Sequence, residues 1–267
     1  MKIACVQFCP EYRNVEKNLD KLRFFVRSTD ADLIVLPELA LTGYFFKSTE
    51  EAFPFAEAVD GDLSSAIGTI AREEGKAVVI GFLEREDRRL FNAALAFDRT
   101  GMLKGHYRKV HLFYYETKVF ARGNRGFPVC SLETSAGTAR VGMAICYDWR
   151  FPEPFRKLAI EGAELIALPS NIVTTTGMLH ATLSTRAFEN KVVLAFADRI
   201  GSEELGGEQL LFRGESAIID RNGAILSQAS SREEEITVAE VDLEKTRHKR
   251  INPFNDIFGD RLPNYGI

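Results

Sequence analysis

Cysteine is scarce in this sequence. The 267 residues contain four cysteines, at positions 5, 9, 130 and 146. Small domains that depend on disulfides are rich in cysteine, and so sparse a set cannot form such a framework. We therefore expect free thiols and a cytoplasmic protein, because the cytoplasm keeps thiols reduced.

Long apolar runs and an excess of positive charge are also missing. No window approaches the roughly 18 apolar residues of a membrane-spanning helix, and residues 10–14 interrupt the first apolar run too early for a secretory signal. The formal net charge is -4 and the isoelectric point is near 5.7. The basic segment 247–250 is short and lies near acidic residues. We expect neither nucleic acid nor a membrane as a partner.

No pattern for a metal or a cofactor is present. The four histidines are scattered along the chain, and Cys5 and Cys9 have no histidine close to them. Such spacing makes a poor zinc site. A phosphate-binding loop of the Gly-x-x-x-x-Gly-Lys type is absent as well. We therefore expect a protein without a metal or a cofactor.

Strand and helix patterns alternate through a composition that is 45% hydrophobic and 27% charged, which favours an α/β fold. Helices are predicted from Val15 with Asn14 as cap, and from Asp62 with Gly75 at the end. Two more are predicted over residues 152–161 and 179–190. The charged residues 84–89 predict a turn. Apolar runs predict strands over residues 2–8, 32–36, 77–83, 91–97, 140–145, 164–168, 192–197, 214–220 and 236–241.

Two strand-and-loop segments resemble each other. Residues 31–37 read Ala-Asp-Leu-Ile-Val-Leu-Pro and residues 163–169 read Ala-Glu-Leu-Ile-Ala-Leu-Pro. Either they are equivalent units that supply loops to one cleft, or they converge because buried strands draw on few residue types.

The last part of the chain has no clear periodicity. No linker divides the sequence, so we expect one domain over residues 1–267. Residues 246–267 carry large apolar side chains without helical or strand spacing. Such a tail packs on its own domain or reaches a neighbouring subunit, and we expect a subunit interface.

The stretch from Val141 to Glu153 is the first candidate for chemistry. An apolar run leads into Cys146, polar residues follow, and Pro152 begins a helix six positions later. α/β proteins place their chemistry at the carboxyl ends of strands, and a helix amino terminus favours the thiolate. A buried free cysteine is more often an inert core residue. These residues alone leave both interpretations open.

Glu38 and Lys109 are two further candidates. Glu38 follows a buried run, where burial would raise its pKa and let it exchange protons near neutral pH; a structural role in the following loop is the alternative. Lys109 lies among aromatic residues. It either presents its charge to a developing oxyanion or extends to the surface.

Three segments, in this order, resemble the nitrilase superfamily of carbon–nitrogen hydrolases. They are Pro37-Glu38-Leu39, the segment Tyr-Arg-Lys-Val-His-Leu-Phe at residues 107–113, and Ile-Cys-Tyr-Asp at residues 145–148. The similarity extends to Asn171, to residues 186–190 and to the arginine-rich tail. It therefore covers essentially the whole chain, and three weak motifs in order make a specific signal.

The resemblance implies a four-layer αββα sandwich whose subunits pair through their helical faces as a homodimer or higher homo-oligomer. It assigns catalysis to Glu38, Lys109 and Cys146. Glu116, seven residues after the lysine, would position the lysine and the substrate or assist water. In this chemistry Glu38 takes the thiol proton, Cys146 attacks an amide carbonyl, and Lys109 with the backbone N–H of Tyr147 holds the oxyanion.

The residues after Cys146 indicate the type of substrate. Tyr147-Asp148 resembles amidases and carbamoyl hydrolases, whereas true nitrilases tend to carry Trp-Glu there. We expect hydrolysis of a small amide to a carboxylic acid and ammonia. Nitrile hydrolysis and N-carbamoyl hydrolysis are the alternatives, and an acyltransferase or a catalytically silent binding module is more remote.

The substrate pocket is predicted from side chains beside the catalytic positions. They are Tyr44, Tyr114, Trp149 and Asn171, and aromatic walls suit an apolar or flat acyl group. Arg150 and Arg186 are candidates for binding a substrate carboxylate. We expect structural pairing for both instead.

Overall fold

Two six-stranded sheets form the frame of the protein, which a computed structural model describes over residues 1–173 and 177–262. The strands are β1 (Lys2–Gln7), β2 (Leu33–Val35), β3 (Ala77–Glu86), β4 (Arg89–Phe97), β5 (Leu103–Arg108), β6 (Val129–Thr134), β7 (Gly137–Met143), β8 (Leu165–Pro169), β9 (Val193–Ala197), β10 (Ser202–Leu205), β11 (Glu208–Leu211), β12 (Ala217–Ile219), β13 (Ile225–Gln228) and β14 (Glu235–Glu240). The helices are α1 (Val15–Ser28), α2 (Thr49–Ala52), α3 (Asp62–Glu74), α4 (Glu116–Val119), α5 (Pro152–Ile160), α6 (Leu179–Asn190) and α7 (Glu244–Arg247), with short 3-10 helices at Phe53–Phe55 and Cys146–Arg150.

The two sheets have similar layouts. The first has the strand order β14-β1-β2-β3-β4-β5 and the second β13-β12-β9-β8-β7-β6. Three neighbouring strands are parallel in each sheet, β1-β2-β3 in the first and β7-β8-β9 in the second. The hairpin β10–β11 stands apart from both sheets. The carboxyl ends of the parallel strands are where an α/β protein presents its functional groups.

Alternation along β1 shows how the layers are built. Successive side chains of a strand point to opposite faces. Ile3 and Cys5 belong to the cluster between the sheets, whereas Ala4 and Val6 pack with residues of α1 and α3. On the far side of the second sheet, α5 and α6 contribute Phe155 and other apolar residues. The result is the αββα sandwich that the sequence resemblance implies, and this prediction is confirmed.

Most of the predicted helices and strands are present. Two helix ends show how particular residues determine where a helix begins and ends. The side chain of Asn14 accepts a hydrogen bond from the amide of Lys17 at 3.3 Å and caps α1. Gly75 ends α3 with φ 63°, a conformation that a residue without a Cβ adopts at little cost.

The predicted turn over residues 84–89 is wrong in its length. Strand β3 continues to Glu86 and β4 begins at Arg89. The charged Glu84 is buried within the sheet because Arg108 and His106 bind its carboxylate, at 2.9 and 2.7 Å for Oε2. A hydropathy pattern does not reveal that a charged residue such as Glu84 is buried beside an oppositely charged partner.

The tail leaves several apolar side chains in solvent. Ile251 and Phe254 are 65% and 91% exposed, whereas Phe258 packs against the core. Residues 263–267 of the predicted tail lie outside the described residues. The subunit contact therefore stays a prediction. Among the helices that the structure describes, none combines the length and apolar character needed to cross a membrane.

Candidate active site

Glu38 lies in the loop immediately after β2 and is completely buried. Its Oε1 accepts hydrogen bonds from Asn92 Nδ2 and Lys109 Nζ, each at 2.6 Å. Its Oε2 has no partner among the described residues. Burial raises the pKa of Glu38 to about 7, although the charge of Lys109 acts in the opposite direction. Such a carboxylate can accept and return a proton at neutral pH.

A glycine makes room for the Glu38 loop. A Cβ on Gly81 of β3 would lie 2.3 Å from Glu38 Cα and 2.6 Å from the carbonyl oxygen of Pro37. With glycine there, the Gly81 amide donates to that same carbonyl at 3.1 Å. The backbone of β3 thereby fixes the position of Glu38.

Lys109 follows β5 and lies between two carboxylates. Its Nζ is 2.6 Å from Glu38 Oε1 and 2.7 Å from Glu116 Oε1, and only 1% of the residue is exposed. The surface alternative for this lysine is therefore wrong. Burial alone would disfavour the ammonium, but Glu116 and Glu38 raise the pKa of Lys109, so the group is a fixed positive charge.

Glu116 is held from both sides, as the first residue of α4. One of its oxygens contacts Lys109, and the other accepts the Phe113 amide at 2.9 Å. Tyr44 is buried beside this carboxylate. Burial raises the pKa of the Tyr44 hydroxyl well above its ordinary value, and the negative charges of Glu116 and Glu38 add to the effect.

Cys146 begins the 3-10 helix that follows β7, with φ 41°. A residue with a Cβ in this left-handed region is strained. Its Sγ is 3.7 Å from the carbonyl oxygen of Asn171, and the Asn171 amide group donates to the Glu38 carbonyl at 2.9 Å. Asn171 thus links the nucleophile candidate to Glu38.

The expectation that a helix terminus favours the thiolate of Cys146 is wrong for this resting state. Burial raises the pKa of the Cys146 thiol well above its usual range, and the charge of Glu38 raises it further. The helix α5 begins at Pro152, six residues after Cys146, and the effect of a helix terminus falls off within the first turn, so it does not offset the burial. A thiol whose pKa is raised in this way needs a base to become the nucleophilic thiolate.

Asp148 holds the cysteine loop to the lysine segment. It is fully buried, and its Oδ2 accepts from the Tyr107 hydroxyl at 2.7 Å and from the Ile145 amide at 2.8 Å. Its Oδ1 lies 2.7 Å from His111 Nδ1. The sequence analysis used Asp148 only to infer the type of substrate, so its role in holding these two segments together was not predicted. The polar Tyr107 and His111 on either side of Lys109 were the available signal.

A small cavity of about 210 Å³ opens beside Cys146. Four of the predicted site residues line it, namely Cys146, Tyr147, Trp149 and Asn171, whereas the predicted pocket residue Tyr44 does not. Phe113, Ile172 and Val173 were not predicted. Tyr147, in the first turn of the 3-10 helix, has a backbone N–H without an intrahelical acceptor. The full lining is Phe113, Cys146, Tyr147, Trp149, Arg150, Asn171, Ile172 and Val173.

Tyr114 does not line this cavity, so that prediction is wrong. The residue is 48% exposed, and its hydroxyl donates to Glu208 on the hairpin β10–β11. Its backbone has φ 53°. The bond to Glu208 keeps the side chain on the outside of the molecule, and no signal in the sequence indicates this partner.

The two arginines near the pocket differ in their pairing. Arg186 pairs with Glu189 at 3.1 Å, as predicted. Arg150 lines the cavity and stacks over Trp149 at 4.3 Å from the ring centre. Within the part of the chain that the structure describes, no carboxylate lies within 4.0 Å of Arg150. The predicted pairing of Arg150 is therefore wrong.

A larger cavity of about 640 Å³ lies elsewhere, between α3 and the ends of β3 and β5. Its central charges, Arg108 and Glu84, bind each other at 2.9 Å. It contains none of the residues around Cys146. The smaller cavity is therefore the candidate active site, because it joins a nucleophile to buried titratable groups.

Comparison with known proteins identifies the family. The model of the carbon-nitrogen hydrolase family matches residues 2–251. A protein named nitrilase from Pyrococcus abyssi is 42% identical, with 99% of this chain and 98% of that protein covered. An N-carbamoylputrescine amidase from Solanum lycopersicum is 30% identical, covering 93% and 88%. The chain belongs to the carbon–nitrogen hydrolases of the nitrilase superfamily, which act on bonds other than peptide bonds.

A solved structure shares the fold. It is a mutant of the amidase from Nesterenkonia sp. AN1, described as showing Michael addition of acrylamide at the active site cysteine. It is 26% identical and superposes with a TM-score of 0.80 over 94% of this chain and 96% of that one.

Proposed function

We propose that this protein is a cysteine-dependent amidohydrolase that converts a small non-peptide amide to a carboxylic acid and ammonia. The buried charge chain beside the cavity is the observation that carries the proposal. Lys109 bridges Glu38 and Glu116 at 2.6 and 2.7 Å, and Asn171 connects this group to Cys146. Burying three charges is expensive unless they are paired, and the arrangement supplies a base, a nucleophile and a fixed cation.

The first step joins the substrate to the thiol as a tetrahedral adduct. The free Oε2 of Glu38 accepts the proton of the Cys146 thiol, the sulfur attacks the amide carbon, and the carbonyl electron pair moves to oxygen. The Lys109 ammonium and the Tyr147 backbone N–H stabilise that oxyanion. A fixed donor in a dry site contributes on the order of 3 kcal/mol to such a transition state.

The second half releases both products. Glu38 returns the proton to the amide nitrogen, the oxyanion electron pair re-forms the carbonyl, and the carbon–nitrogen bond breaks to release ammonia and leave the thioester. Water then attacks the thioester carbon with Glu38 as base, and the carbon–sulfur bond breaks to give the acid and the thiol. Glu116 keeps Lys109 in place throughout, and Trp149 and Asn171 contact the acyl group.

Two variants, each of which lacks one cysteine thiol, test amide hydrolysis. Cys146→Ala should abolish ammonia release from a panel of short aliphatic, aromatic and carbamoyl amides. Cys9→Ala removes a partly buried thiol outside the cavity and should leave turnover intact. Thermal unfolding would establish that both variants fold. Full turnover by Cys146→Ala would remove this cysteine from the mechanism.

Nitrile hydrolysis and N-carbamoyl hydrolysis are the second candidates, because the relatives from Pyrococcus abyssi and Solanum lycopersicum carry those names. The Tyr147-Asp148 pair that follows Cys146 favours an amide substrate over a nitrile. Comparing kcat/KM for an amide and a nitrile that carry the same acyl group distinguishes amide hydrolysis from nitrile hydrolysis. An N-carbamoyl amine would release carbon dioxide and an amine together with ammonia. Hydroxylamine, added as acceptor, would expose acyl transfer as a hydroxamate.

We also propose a homo-oligomer in which residues 246–262 contact a neighbouring subunit. The exposed Ile251 and Phe254 support this. Light scattering on the purified protein would give the mass in solution, and Phe254→Ser should reduce it if this segment holds the subunits together. An unchanged mass would assign the contact to another surface.

A further inference from the structure

A second buried ion pair lies outside the charge chain of the active site. Arg199 and Glu203 are 0% and 4% exposed, and the Arg199 guanidinium binds one carboxylate oxygen of Glu203. Arg199 follows β9, and Glu203 lies in β10. Neither residue lines the Cys146 cavity. Burying two charges costs free energy unless further hydrogen bonds satisfy their remaining atoms, so the other partners of this pair indicate what it does.

The carboxylate of Glu203 binds the backbone of the loop that follows Glu38. Its Oε2 accepts hydrogen bonds from the Tyr44 amide at 3.0 Å and from the Phe45 amide at 2.7 Å. Successive backbone N–H groups form a concave site for an anion, and here the anion belongs to the protein itself. Gly43 makes room for it with φ 80°, because a Cβ there would lie 2.6 Å from Glu203 Oε1.

Aromatic packing fixes the side chain of Tyr44 in the same arrangement. The Arg199 guanidinium lies 3.9 Å from the centre of the Phe212 ring, and this ring meets the Tyr44 ring edge-on with 6.0 Å between their centres. A guanidinium on the face of an aromatic ring restricts the orientation of both groups. Burial and the charge of Glu116 raise the pKa of the Tyr44 hydroxyl, so this side chain lies close to the carboxylate that holds Lys109.

The residue before Arg199 holds the other side of the site. Asp198 is fully buried, and its Oδ1 accepts hydrogen bonds from the Ile172 and Arg199 amides, each at 2.9 Å. Ile172 lines the cavity beside the thiol. The segment of residues 198–203 therefore holds two loops of the site, one from each sheet.

We infer that Glu203 is a positioning residue of the active site, which acts through the backbone of Tyr44 on the Glu116 carboxylate. Glu116 in turn holds the Lys109 ammonium at 2.7 Å, so a displaced Tyr44 loosens the cation that stabilises the oxyanion. Glu203 itself does not line the cavity, so its loss should act on kcat more than on KM. The kinetic test of this inference rests on the proposed amide hydrolysis, whereas the reactivity of the thiol tests it independently.

Glu203→Gln tests the inference, because it keeps the volume of the side chain and removes the charge that binds the two amides. We expect kcat for a small amide to fall by roughly tenfold, with KM changed less than about twofold. Tyr44→Phe removes the hydroxyl through which Glu203 acts. The variant with both changes should be no slower than the slower of the two single variants, since the two substitutions interrupt the same chain of contacts.

Glu164→Gln is the matched control. Glu164 is 2% exposed, pairs with Arg247 and accepts the Arg140 amide at 3.1 Å. It lies immediately before β8, at the end of that strand that is remote from the cavity. Its replacement should lower the free energy of unfolding in urea, as Glu203→Gln does, and leave kcat unchanged.

Glu203→Asp is a second variant, for the case that Glu203→Gln does not fold. It keeps a negative charge for Arg199 and shortens the reach of the carboxylate toward the two amides. We expect it to fold and to lower kcat by at least about threefold, again with little change in KM.

Alkylation of Cys146 by iodoacetamide, followed by peptide mass spectrometry, separates the two proposals. Its rate should fall at least about threefold in the folded Glu203 variants and stay at the wild-type value in Glu164→Gln. Wild-type alkylation in the Glu203 variants would overturn the inference, and so would independent losses of kcat that multiply in the double variant. If the wild type hydrolyses no amide but the alkylation rates follow the expected order, amide hydrolysis fails and the positioning role stands.

Discussion

Asn92 donates a hydrogen bond to Oε1 of Glu38 at 2.6 Å, the same oxygen that Lys109 contacts. Two donors on one oxygen leave the other, Oε2, without a partner in the described part of the protein. A general base needs such a free lone pair, since an oxygen saturated with donors is a poor proton acceptor. Asn92 was absent from the sequence prediction because nothing near it resembles a catalytic motif.

Asn92→Ala should move the acid limb of the pH profile upward. The proposed mechanism needs ionised Glu38, so activity rises with pH through the pKa of this group. Asn92 lowers that pKa, and removing its hydrogen bond should shift the limb of kcat/KM upward by about one pH unit. Asn222→Ala, in the exposed turn between β12 and β13, is the control. A limb that stays in place would show that Asn92 does not tune Glu38.

Glu38→Gln should stabilise the protein at alkaline pH while removing its activity. Burial raises the pKa of Glu38 from 4.5 to about 7. The folded state therefore holds the proton more tightly than the unfolded chain, and stability is lost as pH rises through that range. At pH 8 the glutamine variant should be more stable by on the order of 2 to 3 kcal/mol.

The advantage of Glu38→Gln should vanish near pH 4, where glutamate is protonated in both states. Urea unfolding at the two pH values measures the difference. Glu244→Gln alters a carboxylate that is 84% exposed and should change stability little at either pH. A wild type that is as stable as Glu38→Gln at pH 8 would contradict the raised pKa.

Gly81→Ala should damage the site through the backbone. The added Cβ would meet Glu38 Cα at 2.3 Å and the Leu39 amide nitrogen at 2.5 Å, and backbone atoms cannot step aside as a flexible side chain does. We expect a loss of at least about 2 kcal/mol of stability and a large fall in kcat.

Gly75→Ala is the matched control for this prediction. It has open space around its Cβ position but a φ of 63°, so it should cost about 1 kcal/mol with unchanged kcat. Chemical denaturation and steady-state kinetics give the two quantities. Equal kcat in both variants would contradict the role of Gly81.

Glu208→Gln tests whether the hairpin β10–β11 supports the Glu116 segment. Glu208 binds the Tyr114 and Tyr115 hydroxyls and, at 3.0 Å, the Lys47 ammonium. Losing these partly exposed contacts should lower kcat/KM by about two- to fivefold, with the larger change in KM. Glu204→Gln, exposed on the same hairpin, should have no effect. Indistinguishable kinetics for the two variants would show that the hairpin does not support the Glu116 segment.

Local patterns in the sequence predicted much of the fold. The bounds of α6, residues 179–190, agree with the prediction, and β1, β8 and β9 differ from it by a residue or two. Strands β5, β6, β10, β11 and β13 were missed. In β6, for example, the exposed Ser131 and Glu133 alternate with the buried Cys130, Leu132 and Thr134. Such edge strands have short alternating patterns that resemble loops.

Some residues of the site were predicted from the sequence, and others were not. Glu38, Lys109, Glu116 and Cys146 were placed through a family resemblance, and their neighbours Asn92 and Asp148 were not, since hydrogen bonds between distant segments leave no trace in spacing. Tyr114 failed for the same reason. The protonation of Cys146 was misjudged because a sequence motif indicates the nearby helix but not the depth of burial.

The two similar strand-and-loop segments lead to different sheets, with β2 in the first and β8 in the second. Glu38 and Lys109 therefore come from one half of the sandwich, and Cys146 and Asn171 from the other. Neither sheet alone holds both the thiol and Glu38. The proposed nucleophile and its base therefore meet only where the two sheets pack together, so enzyme activity reports the fraction of molecules in which the sheets are docked.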